Sequence, residues 1–226
     1  GRAWLARFGP HFKSYVEGCR WERQLRDRRA IPSLATYAQL RPLVSCCAPC
    51  FDLSGLCCGV HGADDDDDFG AAVVERCTGA PLVAQLELMA NNHVSWVNDV
   101  YGLDKELAEG TTSNLVVVLA NEYGLSWDAA LDRAIEMCNA ELEAFEDLER
   151  TLLSASATGF GLGVTSTGDG DDRAAAARAA YVAGLKAWIR GNLDWYSETS
   201  RYNKRSGLDE SQTPSRKRLL EADPAL

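Results

Sequence analysis

Asn98, Gly102 and Glu106 stand four residues apart in the stretch Asn98-Asp99-Val100-Tyr101-Gly102-Leu103-Asp104-Lys105-Glu106. On an α-helix such positions drift by only about 40° per step, so the three share one face. An amide oxygen, a gap and a carboxylate on one stripe form half of a site for a hard cation. Mg²⁺ suits such a half-site, because it prefers oxygen ligands and takes only a few of them from the protein. The rest of the chain must supply the counter-wall and hold the stripe in place.

The elements around this stripe read as helices. Residues 2 to 29 carry Trp4, Phe8, Phe12, Tyr15 and Cys19 at helical spacing, with Arg and Lys between them. Ile31-Pro32-Ser33 breaks the run, and Ser33 is placed to cap a helix through Tyr37, Leu40 and Arg41. Pro42 and Pro49 then predict a broken helix near Val44 and Ser45, whose freed carbonyls can face a ligand. Residues 59 to 79 read as a loop, with the aspartates Asp64–Asp68 as a solvated insertion.

Pro81 opens the helix that carries the stripe, which runs to Glu109 with Leu82, Leu86, Met89, His93, Trp96, Val100, Leu103 and Leu107 on its apolar side. Gly110 to Ser113 ends it, and Asn114 to Tyr123 starts another apolar run. Ser126 caps a helix through Leu152, residues 154–172 read as a flexible loop, and a last helix spans about 173–199. The sequence beyond Asn203 reads as a disordered tail, giving a unit at 1–202 and a tail at 203–226. No strand shows alternation, and the expected class is all-α.

Composition narrows the partners. A net charge of −10 over 226 residues argues against nucleic acid or an anionic membrane surface. No run approaches the roughly 18 apolar residues of a membrane span. Eight cysteines without signal-peptide character at Gly1-Arg2-Ala3-Trp4 point to a reducing compartment, with cytoplasmic location expected. Cys46, Cys47, Cys50, Cys57 and Cys58 cluster, but without a second Cys-x-x-Cys they read as packing residues rather than a zinc site. The oligomeric state stays open.

The opening stretch resembles the second metal-binding motif of class I terpene synthases, Asn-Asp-x-x-Ser/Thr-x-x-x-Glu, with Gly102 where the family has a hydroxyl. Ile31-Pro32-Ser33-Leu34, Tyr37, Leu40 and Arg41 resemble that family's approach to its broken helix. Asn114-Leu115-Val116 and Arg201-Tyr202 match two further family patterns. The resemblance covers residues 4 to 202. It implies a class I helical bundle, in part, that ionises an isoprenoid diphosphate to give a cyclic terpene. Farnesyl diphosphate is the expected substrate and Mg²⁺ the cofactor, three ions in the intact family fold.

By position, the resemblance makes Asn98, Gly102 and Glu106 the metal residues and Arg41 the sensor of the diphosphate. Val44 and Ser45 then take the linker and effector places, Ser45 acting through its carbonyl. Lys105, Arg201 and Tyr202 become further diphosphate contacts, and Trp195 an aromatic wall of the substrate pocket. The family's upstream aspartate-rich motif is not found before Arg41. The chain is therefore expected to be the C-terminal part of such an enzyme, and residues 1–226 alone to be inactive. Two alternatives stay open: a catalytically silent relic of the fold, and an isoprenyl diphosphate chain-elongating synthase.

Overall fold

The structure, a computed structural model, describes residues 2–57, 81–158 and 169–199. Among them are seven helices and no strand: α1 (Arg2–Asp27), α2 (Leu34–Val44), α3 (Cys47–Cys57), α4 (Pro81–Glu109), α5 (Leu115–Tyr123), α6 (Trp127–Thr158) and α7 (Asp169–Glu198). The aspartate run 64–68, Cys58, Arg201, Tyr202 and the tail lie outside the described residues. The expected all-α class is what the chain adopts.

Local chemistry sets most of the boundaries. Ser33 is extended at φ −64°, ψ 157°, and its hydroxyl accepts from the Thr36 N–H at 3.2 Å, so it caps α2. The broken helix falls where two prolines place it. α2 stops at Val44, Cys46 turns into the left-handed region at φ 63°, and α3 resumes at Cys47. Pro49 is tolerated because it falls in the first turn of α3, where N–H groups have no intrahelical partner. Gly110, at φ 73°, ends α4, while the Thr111 N–H closes on the Glu106 carbonyl at 2.9 Å. Asn114 caps α5, and Gly124 ends it at φ 63°.

α4 is the centre of the bundle and packs against α2, α3, α5, α6 and α7, while α1 lies on α2 and α3. One core region joins Tyr37, Val97, Val100, Leu115, Leu119, Ile135 and Leu193. The other joins Phe51, Val83, Leu86, Phe145, Tyr181, Leu185 and Ile189. Each fully buried side chain of this size contributes about 1.5–3 kcal/mol by leaving water, so the helix carrying Asn98 and Glu106 is anchored on several sides.

Four expectations need correction. α6 runs on to Thr158, because Ser154 to Thr158 contains small residues but no helix breaker before Gly159. α7 starts at Asp169, ahead of the alanine-rich stretch 174–177 that favours helix. Leu107 is exposed rather than buried, as are Ala108 and Glu109 after it at the end of α4. Phe12 is likewise exposed, although it stacks on Phe8 at 5.9 Å. Among the described cysteines none is disulfide-bonded, and Cys47 packs in the core beside Phe51, where burial pushes its thiol up to about 11. No described helix is long and apolar enough to cross a membrane.

Candidate active site

Asp99 organises the site. Its side chain is 1% exposed, and the Arg41 side chain opposite is 11% exposed. Arg41 donates from Nε at 2.9 Å and from Nη2 at 2.7 Å to Asp99 Oδ1. The Tyr37 hydroxyl donates to Oδ2 at 2.5 Å, and the Leu115 N–H reaches the same oxygen at 2.7 Å. Four donors from α2 and α5 therefore converge on one carboxylate of α4. Burial works against the Arg41 charge, but Asp99 beside it holds the guanidinium well above its ordinary range, so it stays a cation.

Arg41 Nη2 also donates to the Ser95 carbonyl at 3.1 Å and to Asn98 Oδ1 at 3.2 Å. The same guanidinium thus touches the first residue of the candidate metal stripe. Asn98 Nδ2 donates to the Tyr196 hydroxyl of α7. Two helical turns further on, Glu106 Oε2 accepts from Asn114 Nδ2 at 3.0 Å, and that amide also donates to the Asp99 carbonyl at 2.8 Å. Burial, reinforced by the Asp99 charge, pushes the Glu106 carboxyl up to about 7, against the pull of Asn114, Arg41 and Lys105.

These groups line a polar cavity of about 220 Å³, bounded by Arg41 and Val44 of α2, Asn98, Lys105 and Glu106 of α4, Arg26 and Glu22 of α1, and the turn 111–113. Lys105 lies within 3.3 Å of Glu109, an exposed pair on the same helix. The Thr112 and Ser113 hydroxyls are buried without a hydrogen-bond partner. The Asn98 and Glu106 oxygens and several cations around one small space suit a divalent cation bound together with a polyanion. Mg²⁺ fits this donor set, since it takes one or two protein oxygens and fills its octahedron with phosphate and water. Among the described residues no group of three or more His, Cys, Asp or Glu side chains is arranged to hold a metal.

A second cavity, about 900 Å³ and mainly apolar, opens between α3, α4 and α7. Leu53, Cys50, Val94, Trp188, Asn192 and Trp195 line it. Trp195 meets Tyr196 edge-on at 4.9 Å, and Tyr196 stacks on Tyr101 at 4.4 Å. Through the Tyr196 hydroxyl this aromatic group reaches Asn98, which lines the polar cavity.

The residues singled out from sequence fall as follows. Asn98, Glu106, Arg41, Lys105 and Val44 share the polar cavity, and Trp195 lines the apolar one. Gly102 is buried beneath the Glu106 carboxylate. The Ser45 hydroxyl turns inward, donating to Asn91 Oδ1 at 2.7 Å and accepting from the Cys47 N–H at 3.1 Å, so it holds the helix break together. Arg201 and Tyr202 lie outside the described residues. Sequence reasoning gave no role to Asp99, Tyr37 or Arg26. The available signal for Asp99 was that a buried arginine ahead of the break needs a counter-charge.

Comparison with known proteins bears on these cavities. Residues 1–144 match a family described as "Terpene synthase family 2, C-terminal metal binding". The chain is 34% identical over 201 residues to the 10-epi-cubebol synthase of Sorangium cellulosum, covering 89% of this chain and 56% of the relative. It is 33% identical over 202 residues to a (+)-T-muurolol synthase ((2E,6E)-farnesyl diphosphate cyclizing) of Roseiflexus castenholzii, covering 88% and 53%. Its backbone follows that of the linalool/nerolidol synthase from Streptomyces clavuligerus in complex with 2-fluorogeranyl diphosphate. There the TM-score is 0.68 at 21% identity, over 87% of this chain and 60% of the other, a likeness of fold. The chain spans about half the length of the curated relatives it matches.

Proposed function

Because the chain belongs to terpene synthase family 2 and has the all-helical class I fold, we propose that it forms the diphosphate-gripping part of a sesquiterpene cyclase. The substrate is an allylic isoprenoid diphosphate, and the relatives named for cyclising farnesyl diphosphate point to that chain length. One observation carries the reading. Arg41, Arg26 and Lys105 share a small polar cavity with the oxygen ligands Asn98 and Glu106, and an apolar cavity of about 900 Å³ is lined by Val94, one turn before Asn98 on α4.

In this reading the allylic C–O bond breaks, its electron pair leaves with the diphosphate, and the cation left behind cyclises and loses a proton. Arg41 meets the leaving group with an orientation fixed by Asp99, which engages Nε and Nη2. A preoriented cation stabilises developing charge without reorganisation at the moment of reaction. Lys105 and Arg26 add positive charge on the same cavity wall. Arg201 and Tyr202 act as further donors from the segment after α7, and Val44 with the Ser45 carbonyl lines the helix break beside the leaving group. Bound Mg²⁺ supplies Lewis-acid polarisation of the leaving group. Asn98 and Glu106 would hold it, and Gly102 adds no side-chain oxygen. Trp195 offers its π-face to the cation, and the apolar wall keeps water away from it.

Gly102 favours a second reading, a relic that keeps the fold and binds without turning over. Binding separates the readings from their common alternative, a bundle with no diphosphate site. Calorimetric titration of the chain with inorganic diphosphate should show binding that needs Mg²⁺ and falls at least tenfold in Arg41→Ala. Binding indifferent to both would refute the diphosphate site. Release of hydrocarbon from farnesyl diphosphate by a protein of the relatives' length that carries this chain then distinguishes cyclase from relic.

A further inference from the structure

Glycine inside a helix costs about 1 kcal/mol relative to alanine, yet Gly102 sits in the middle of α4 with no turn or positive φ to require it. The space around it explains its presence. A Cβ built on Gly102 would lie 2.8 Å from Glu106 Oε1 and 3.3 Å from Glu106 Cδ. The Glu106 carboxylate therefore folds back along its own helix into the volume that a side chain at 102 would fill. From the other side, Asn114 Nδ2 holds Oε2 at 3.0 Å. Asn114 is itself immobilised: it is fully buried, donates to the Asp99 carbonyl, and accepts from the Val116 and Val117 N–H groups.

We propose that Gly102 is a positioning residue: by carrying no side chain it leaves the space in which the Glu106 carboxylate, clamped by Asn114, is held as a ligand. This rests on the reading that Asn98 and Glu106 hold a divalent cation. Oε1 lies too close to a Cβ at 102 for both to keep their places. A serine at 102 does not improve the site; its Cβ displaces the carboxylate. The alternative, an empty place that any hydroxyl would improve, makes the opposite prediction.

The test is the Mn²⁺ affinity of the chain with inorganic diphosphate present, read from the free-Mn²⁺ signal in electron paramagnetic resonance. Gly102→Ala should weaken binding about tenfold, the scale of losing the partner that orients a ligand, and Gly102→Ser should do no better than Ala. Glu106→Gln should weaken wild type strongly but add little on the Gly102→Ala background, because the carboxylate is already displaced there. This non-additivity is a result that general helix damage would not give. Tighter binding in Gly102→Ser than in wild type, or wild-type affinity in Gly102→Ala, would overturn the proposal and leave the metal reading standing. Absence of Mn²⁺ binding by wild type itself would bring down the metal reading and this inference together.

Discussion

Asp99 and Glu106 lie on the same helix, yet their surroundings give them opposite consequences. Asp99 is the counter-charge of a buried arginine and receives four hydrogen bonds. Replacing it with Asn leaves Arg41 buried and unpaired, a loss expected to cost about 3–5 kcal/mol, which a lower urea midpoint at an unchanged slope would report. Glu106 is pushed up to about 7 by burial and by Asp99, whereas in the unfolded chain it titrates near 4.3. Between those values the folded state keeps a proton that the unfolded state releases, so stability falls as pH rises and levels off above about 7. In EDTA, the wild-type stability minus that of Glu106→Gln should decline across this window, by at most roughly 1.4 kcal/mol per pH unit. A difference that is flat or rises with pH would contradict the buried, protonated carboxyl.

At the scale of elements, the break between α2 and α3 is held by an arrangement that one substitution can probe. Cys46 takes φ 63°, a conformation that costs a non-glycine residue about 1–2 kcal/mol. Cys46→Gly removes that strain while loosening the unfolded chain, so a net gain of roughly 0.5–1 kcal/mol is expected, read as a higher thermal midpoint. Destabilisation would mean that the Cys46 side chain contributes more than its backbone strain costs. The break was legible because its causes are local: Pro42, Pro49 and the Ser33 cap act within a few residues. So was the stripe of Asn98 and Glu106, which needs only helical spacing. The inward turn of the Ser45 hydroxyl was not legible, since it depends on Asn91 from a distant helix. Nor was the role of Asp99, because position 99 points away from the stripe, toward residues that only the tertiary fold brings near.

At the scale of the whole molecule, a polar joint that no local pattern announces ties α1 to α3, α4 and α7. Arg7 of α1 donates from Nε to Asp52 of α3, and from Nη2 to Glu87 of α4 at 2.5 Å and to the Tyr181 hydroxyl of α7 at 3.3 Å. Tyr181 in turn donates to Glu87 at 2.6 Å, His11 Nδ1 meets Asp52 Oδ2 at 2.7 Å, and Trp4 donates to the Asp52 carbonyl at 3.0 Å. Asp52, Glu87 and Tyr181 lie 45, 80 and 174 residues from Arg7, so in sequence the two carboxylates read as ordinary helix-face charges and Tyr181 as one more apolar residue. Burial decides its worth. Arg150 and Asp147 also pair, but at 75% and 70% exposure, where solvent leaves such a bond worth under about 1 kcal/mol. Asp52 is 0% exposed, and without Arg7 its charge and that of Glu87 lose the cation between them. Arg7→Met should therefore cost about 3–5 kcal/mol and free α1 for early proteolytic cleavage, while Arg150→Ala should leave both readouts nearly unchanged. Equal effects of the two variants would show that α1 is held by its apolar contacts with α2 and α3, and that this joint adds nothing to them.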